Sequence, residues 1–427
     1  MMKDLMSHAV CRADRDGETE SIGLAPIATN TAGATYRVAR KTVTGLNKHT
    51  IESSQTVLAR SGDGGRRQEY KATTLPGASR RARGEEVLAV IPVLNEERHI
   101  ADCIRSLMAG DERLQAVETV VADGGSTDGT RAIVRALCVE FPNLRLVDNP
   151  QRLQSAAVNQ LARKAGADRR ILVRCDAHAL YPPGYITHVA DSLLCRGVAS
   201  VVTPMDAVGE KCFQKANAWA VDTPLGSGGA AHRGGRRSTF VDHGHHAGFD
   251  LRIFLETGGY DETFSHNEDA EFDVRLRKAG HRIFLDAEIR VTYRPRASAV
   301  TLARQYYNYG RGRARTLMKH GEKLRLRQLV PPATLLACLA ALLLSPLSGW
   351  LLTVPAAYSG ALVAASLVIA VRNRSPCGLL AGVALVIMHT SWSLGLLRQF
   401  TSPSAAGAPR SLWELLRRLV LGPVRTE

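Results

Sequence analysis

From residue 86 the chain changes from unpatterned polar sequence to short apolar runs alternating with helix-period segments. Val87-Leu88-Ala89-Val90-Ile91-Pro92 is an unbroken apolar run closed by proline, the pattern of a strand buried on both faces in a parallel sheet. The spacing then predicts a helix opening at Asn95-Glu96-Glu97, with Ile100, Ile104 and Leu107 on one face. A second strand is predicted over 117–122, stopped by Asp123-Gly124-Gly125. Ser126-Thr127-Asp128-Gly129-Thr130 leads into a helix carrying Ile133, Val134 and Leu137. A strand at 144–147, a helix over 155–165 and a strand at 171–175 follow, with Asp176 at the carboxyl end of the last. Residues 268–279 read as an amphipathic helix with Phe272, Leu276 and Ala279 facing inward, ended by Gly280. Strands alternating with helices at this spacing define an open α/β sheet. In such sheets ligands bind outside the carboxyl ends of the strands, and Asn95, Asp123, Asp128 and Asp176 all fall there.

The two flanks differ from this domain. Residues 1–84 are polar and aperiodic, with 14 Lys+Arg against 8 Asp+Glu, and read as a disordered tail. That tail is either a dispensable extension, or an over-long gene start, or an electrostatic tether to anionic lipid. At the other end, no Asp, Glu, Lys or Arg occurs between residues 329 and 371, nor between 375 and 397. Each stretch holds segments long enough to cross a bilayer as helices: 333–352, with Pro331-Pro332 as its start, then 354–371 and 376–397. The resulting organisation is a tail (1–84), an α/β domain (85–328), a membrane anchor of two or three helices (329–400) and a basic amphipathic tail (401–427).

Composition adds a formal charge of +15 over 427 residues. Much of it flanks the apolar runs or lies in loops, and no helix-turn-helix or zinc-finger pattern accompanies it. Lipid headgroups and diphosphates are therefore the expected partners, not nucleic acid. The eight cysteines form no CxxC pair and are expected as reduced thiols in a cytosolic setting. The N-terminus lacks the apolar core of a signal peptide.

No GxGxxG or GxxxxGK[ST] occurs in the α/β domain, which disfavours a dinucleotide fold or P-loop. Carboxylates on strand-end loops take their place. One acidic group can accept a hydrogen bond from a base or ribose. Another can hold a divalent cation that neutralises diphosphate oxygens. Asp123 and Asp128 also have a purely local reading as turn and helix-cap residues. Residues 226–248 are rich in Gly and His, including His232, His243, His245 and His246. Their spacing matches no zinc pattern, which favours a mobile gating loop with glycine hinges. Arg233, Arg236 and Arg237 in that loop either meet an acceptor diphosphate or form a solvated basic surface.

Pro92-Val93-Leu94-Asn95-Glu96 followed by Asp123-Gly124-Gly125-Ser126-Thr127-Asp128-Gly129-Thr130 resembles glycosyltransferase family 2 with its GT-A fold. Gly258-Gly259-Tyr260-Asp261-Glu262, Asn267-Glu268-Asp269 and Glu271-Phe272-Asp273-Val274-Arg275-Leu276-Arg277 are similar to the acceptor-side segment of that family. The resemblance runs from about residue 86 to 320. Arg174-Cys175-Asp176-Ala177-His178, His232-Arg233, Val241-Asp242, Tyr293-Arg294-Pro295-Arg296 and Tyr309-Gly310-Arg311-Gly312-Arg313 narrow it to ExoA-type succinoglycan-biosynthesis glucosyltransferases.

The resemblance implies a non-processive transferase using a nucleotide sugar, UDP-glucose, and a divalent cation, Mg²⁺ or Mn²⁺. Pro92, Asn95, Glu96 and Arg174 would shape the nucleotide-sugar pocket and Asp123 would bind the uracil, with Asp128 on the same loop. Asp176 matches the first Asp of the DXD metal motif, and His178 stands where the family has a second Asp. His178 either ligates the ion, as histidine can for Mn²⁺, or hydrogen-bonds a phosphate. Asp269 matches the catalytic base, with Glu268 beside it, and Arg233, Arg311 and Arg313 are candidates for a diphosphate on the acceptor. The family's processive QxxRW motif has no Trp after Gln305 here, which argues for a single sugar addition. The implied acceptor is a polyprenyl-diphosphate-linked sugar in exopolysaccharide assembly, with possible polysaccharide-assembly partners. The alternatives are direct transfer to a polyprenyl phosphate or lipid, and a non-catalytic scaffold with a degenerate site. The expected location is a bacterial inner membrane with the catalytic domain cytoplasmic. Arg372 and Arg374 agree with two crossings that return the chain to the cytoplasm. A third would put Arg398, Arg410, Arg417, Arg418 and Arg425 outside, so either one segment is re-entrant or the tail is an exception. Residues 412–421 read as an interfacial amphipathic helix, favouring a cytosolic tail.

Overall fold

The computed structural model describes residues 11–13, 19–24, 39–44, 81–245 and 247–402. The chain forms two units, Met1–Ala78 and Ser79–Glu427. In the first, strands β1 (Cys11–Ala13), β2 (Thr19–Leu24) and β3 (Ala39–Thr44) make an antiparallel sheet. The composition of residues 1–84 reads as a mostly disordered tail, and within Met1–Ala78 these three short strands are the part that is described. β-Branched Thr19, Ile22, Thr42, Val43 and Thr44 supply strand propensity that a composition argument averages away. The remaining tail residues, and the helix expected at 412–421, lie outside the described residues.

The second unit is built on an eight-stranded mixed sheet. Its parallel half comprises β4 (Val87–Val93), β5 (Glu118–Asp123), β6 (Leu144–Asp148) and β7 (Ile171–Arg174). Helices α1 (Ile100–Leu107), α2 (Thr130–Glu140) and α3 (Gln154–Lys164) connect these strands. Beyond β7 come β8 (Ala179–Leu180), α4 (Tyr185–Arg196), β9 (Ser200–Val202), β10 (Met205–Ala207), α5 (Cys212–Val221), α6 (Pro224–Ser227), β11 (Thr239–Val241) and β12 (Ala247–Asp250). The domain closes with α7 (Leu251–Glu256), α8 (Glu268–Lys278), β13 (Ile283–Leu285), β14 (Val291–Tyr293) and α9 (Ala299–His320). Strand order in the main sheet is β11-β13-β9-β12-β7-β4-β5-β6, with β12 antiparallel to both its neighbours. A small sheet, β10-β14-β8, stands beside it.

Burial explains why β4 is apolar without a break. Val87, Ala89, Ile91 and Val93 face one core with Ile104, Val134 and Tyr185, whereas Leu88 and Val90 face the other with Leu172, Phe254 and Phe272. The period of two persists, but both faces are covered. Phe249, Phe254, Tyr260 and Phe272 stack in the second core at centroid distances of 4.9 to 6.1 Å. One boundary differs from expectation. The helix placed at Asn95 begins only at Ile100, because Asn95 takes a left-handed conformation (φ 55°) that keeps 94–99 a loop.

Three long apolar helices follow: α10 (Leu326–Leu344), α11 (Thr353–Arg372) and α12 (Ala381–Phe400). With their flanking 3₁₀ turns, Leu326–Leu344, Gly349–Arg372 and Pro376–Phe400 are long and apolar enough to cross a membrane. The first starts ahead of Pro331-Pro332, which lie inside it and leave the carbonyls of Arg327 and Gln328 without i+4 donors. It therefore also runs across the expected domain boundary at 328.

α12 packs on the catalytic domain. A Cβ on Gly310 of α9 would overlap the Trp392 carbonyl, and one on Gly395 would overlap that of Tyr307. Contrary to the expectation of reduced thiols, Cys212 of α5 and Cys377, just before α12, form a disulfide. Their separation of 165 residues left no spacing signature to read.

Candidate active site

The loops after β4 and β5 are locked together. Asn95 accepts from the Thr127 N–H (2.8 Å) and donates its own N–H to Ser126 Oγ (2.9 Å). Glu96 N donates to Thr130 Oγ1 (2.8 Å), and Asp128 accepts from the N–H groups of Glu97 and Thr130 (3.2 and 3.0 Å). Asp123, buried at the end of β5, accepts from the amides of Gly125 and Ser126 and from Arg131 Nη1 (2.6 Å). Burial would raise its pKa, but the Ser126 and Arg131 hydrogen bonds outweigh it and hold the carboxyl low. Asp123, Asp128 and Asn95 thus have filled local roles in this loop pair. The pocket beside them, about 180 Å³, is lined by Pro92, Glu96, Asn149, Arg152, Asp176 and His178 among others.

Asp176 sits in the turn between β7 and β8. Its Oδ1 accepts from Arg174 Nη2 (3.0 Å) and Gln154 Nε2 (3.2 Å), while Oδ2 lies 3.2 Å from His245 Nε2. The other ring nitrogen of His245 lies 2.6 Å from Asp269 Oδ2. One imidazole therefore joins the two carboxylates read as metal ligand and base. Burial works against its charge, yet hydrogen bonds to Asp176 and Asp269 push its pKa up to about 9. Burial likewise opposes ionisation of Asp269, but His245 holds it far below the ordinary carboxylate range. Asp269 and Glu268 occupy the first turn of α8, where the helix dipole favours anions. Glu268 is buried, with Arg174 Nη2 at 3.9 Å, and burial raises its pKa against the pull of Arg174. Arg174 is itself buried, so it serves as the internal counter-charge for Asp176 and Glu268.

A cation at this place has an open donor set. Among the described residues no three His, Cys, Asp or Glu side chains form a cage, and His178 turns its Nδ1 toward Glu96 at 3.4 Å. Asp176 with a histidine nitrogen fits a divalent ion whose remaining ligands are diphosphate oxygens.

In the Gly/His-rich segment, His243 and His245 are fastened by acids. His243 Nδ1 lies 2.7 Å from Asp273 Oδ2, and His245 meets Asp269. These acids are four apart on α8 and share a face, matching histidines two apart on an extended segment. His246 lies outside the described residues. Sequence reasoning did not place His245 or Gln154 in the site, and this paired 2-and-4 spacing was the available signal. Arg233 stacks on Tyr293 (4.8 Å), with its Nη1 buried and unpartnered, whereas Arg236 and Arg237 are exposed. Arg313 lines the main cavity, but Arg311 does not and is exposed. Two residues apart on a helix point to nearly opposite sides, so the two arginines do not form one clamp. The main cavity, about 1250 Å³, brings together Arg174, Asp176, His178, Arg233, His245, Glu268, Asp269 and Arg313.

The profile of glycosyl transferase family 2 matches residues 88–258. The succinoglycan biosynthesis protein ExoA of Rhizobium meliloti (strain 1021) is 44% identical over 313 residues, covering 73% of this chain and 94% of that protein. A Methanococcus voltae protein is 23% identical over 320 residues, covering 72% and 95%. Its name is dolichyl N-acetyl-alpha-D-glucosaminyl phosphate 3-beta-D-2,3-diacetamido-2,3-dideoxy-beta-D-glucuronosyltransferase. Among solved structures, the mannosyltransferase PcManGT from Pyrobaculum calidifontis, in complex with GDP-Man and Mn2+, is 18% identical. That alignment has a TM-score of 0.48 and covers 76% of this chain and 90% of the other. Strand-end loops locked around Asp123, the Asp176–His245–Asp269 line and the extent of the ExoA match agree, and the chain belongs to glycosyltransferase family 2.

Proposed function

We propose that the protein is an inverting hexosyltransferase that moves glucose from UDP-glucose onto a polyprenyl-diphosphate-linked sugar during exopolysaccharide assembly. The observation that carries the reading is Asp269: a carboxylate held ionised at a helix N-terminus, facing a large cavity and tied through His245 to Asp176. Asp269 removes the proton from the acceptor hydroxyl as that oxygen attacks the sugar C1. The bond from C1 to the diphosphate breaks, the nucleoside diphosphate leaves on the opposite face, and the anomeric centre inverts. Pro92 and Glu96 line the nucleotide side, and Arg174 holds Asp176 and Glu268 in place. A divalent cation held by Asp176, with His178, would offset the charge gathering on the leaving diphosphate.

The pathway rests on the similarity to ExoA, whose name assigns it to succinoglycan biosynthesis. A lipid-linked acceptor is supported by the name of the Methanococcus relative, which acts on a dolichyl-linked sugar phosphate. The apolar helices would anchor the enzyme in the membrane, with the catalytic domain on the cytoplasmic side where nucleotide sugars are made. The test is a panel of radiolabelled sugar nucleotides incubated with membranes containing the protein. Label should pass from UDP-glucose into a lipid extract only when Asp269 is intact. No transfer and no UDP release from any donor would leave the scaffold reading in its place.

A further inference from the structure

The cavity that opens from Asp176 and Asp269 does not stop at the catalytic domain. Arg313 on α9 and Arg325 and Arg327 at the start of α10 line it, and so do Tyr358 and Leu362 on α11 and Trp392 on α12. Its volume of about 1250 Å³ exceeds the roughly 300–1,000 Å³ of an ordinary small-ligand site. A nucleotide sugar at the Asp176 end therefore leaves the far part for a second ligand.

The chemistry of that far part changes along its length. No acceptor is bonded to Arg313 among the described residues, although burial and neighbouring Arg325 both disfavour its charge. Arg327 donates to the carbonyls of Gly228 and Gly229 (2.9 and 3.1 Å), which neutralise nothing. Arg325 meets one exposed carboxylate, Asp242, at 2.5 Å. Glu322, the other carboxylate beside Arg313, is engaged by Arg277 at 3.2 Å, so the three guanidiniums at this end of the cavity outnumber the carboxylates near them, an arrangement that suits a group with more than one negative charge. The same cavity is also lined by Tyr358, Leu362 and Trp392 from helices long and apolar enough to cross a membrane.

We propose that the C-terminal helices form part of the active site: a groove between α9 and α10–α12 that binds an isoprenoid diphosphate lipid. The diphosphate lies against Arg313, Arg325 and Arg327, and the hydrocarbon chain runs along Tyr358, Leu362 and Trp392. A phosphodiester lipid carries one negative charge and matches the three arginines less well than a diphosphate. The proposal rests on the transferase reading for its purpose, but its test uses no sugar donor, so the two can fail separately.

The test is photo-cross-linking of the full-length protein in detergent with a long-chain polyprenyl diphosphate bearing a terminal benzophenone. The label is expected on cavity-facing residues of α11 and α12. Unlabelled polyprenyl diphosphate should compete, whereas inorganic pyrophosphate and phosphatidylglycerol at equal concentration should not. Arg313→Gln combined with Arg327→Gln should weaken labelling about tenfold, the scale of one lost charge-assisted clamp. Mapping in the unsubstituted protein needs no variant to fold. Labelling confined to exposed Leu343 and Val371, or equal competition by pyrophosphate or by phosphatidylglycerol, would overturn the proposal.

Discussion

Glu268 and Asp269 are neighbours in sequence with opposite electrostatic surroundings. Asp269 bonds His245 at 2.6 Å and is held ionised, whereas Glu268 is buried and pushed toward its neutral form. Environments that drive adjacent carboxyls apart assign their roles. Asp269→Asn keeps the shape and removes the base, so kcat should fall by about 10²–10⁴ with little change in KM. Glu268→Gln should cost far less in kcat, because Glu268 touches neither His245 nor, on the bonds seen, any group in line with the acceptor. Steady-state kinetics of both variants against UDP-glucose checks the order. A larger loss at Glu268 than at Asp269 would reverse the assignment.

The helix that presents Asp269 is fixed two residues further along. Glu271 is fully buried and accepts from Arg275 (2.9 and 2.7 Å), Lys319 (2.6 Å) and His320 (2.9 Å). Arg275 in turn donates to the carbonyls of Thr257 and Gly259 at 2.6 Å. This knot ties α8 to α9 and to the Gly258-Gly259-Tyr260 turn. Burial would raise the Glu271 pKa, but Arg275 and Lys319 pull it below its ordinary 4.5. A carboxyl lowered in the folded state contributes stability above its unfolded pKa and loses it as pH falls through the folded value. Thermal melts should therefore show a loss of stability below about pH 4.5 that Glu271→Gln makes shallower. At neutral pH the same variant should be less stable by about 2 kcal/mol, because it removes the buried charge that Arg275, Lys319 and His320 share. A neutral-pH melt unchanged by Glu271→Gln would remove the knot from the account.

What the sequence shows of these elements follows from how local each cause is. The strands β4, β5 and β7 were legible because burial on both faces leaves few polar positions in their runs, whereas β6, at the sheet edge with Arg145 and Asp148 exposed, was legible by alternation. The role of Glu271 was not, since Lys319 and His320 lie 48 and 49 residues away. His245 was hidden for the same reason, with partners 24 and 69 residues distant. Asp123 and Asp128 were legible by resemblance as residues of the nucleotide loop and by chemistry as turn formers, and among the bonds they make are those of the turn.

At the scale of the whole molecule, the three apolar helices are not equivalent. Pro376–Phe400 is 44% buried, against 11% and 17% for Leu326–Leu344 and Gly349–Arg372. Its start is bonded to α5 through Cys212–Cys377, its middle to Leu225 through His389, and its end meets α9 at Gly395. A helix held along its length by the catalytic domain does not cross away from it. By contrast, Leu343, Leu347, Trp350 and Val371 on α10, α11 and their turn are 75–83% exposed. Arg325 and Arg327 begin this pair and Arg372 ends it, so a hairpin returning to its starting side satisfies the positive-inside rule. On that topology Arg398 stays on the side of the catalytic domain, and the conflict posed by a third crossing does not arise. Alkaline phosphatase, active only outside the cytoplasm, should be active when fused after Ser348 and inactive after Ser402. Green fluorescent protein fused after Ser402 should fluoresce. An active phosphatase at Ser402 would mean that α12 crosses after all and that its contacts with α5 and α9 do not persist in the membrane.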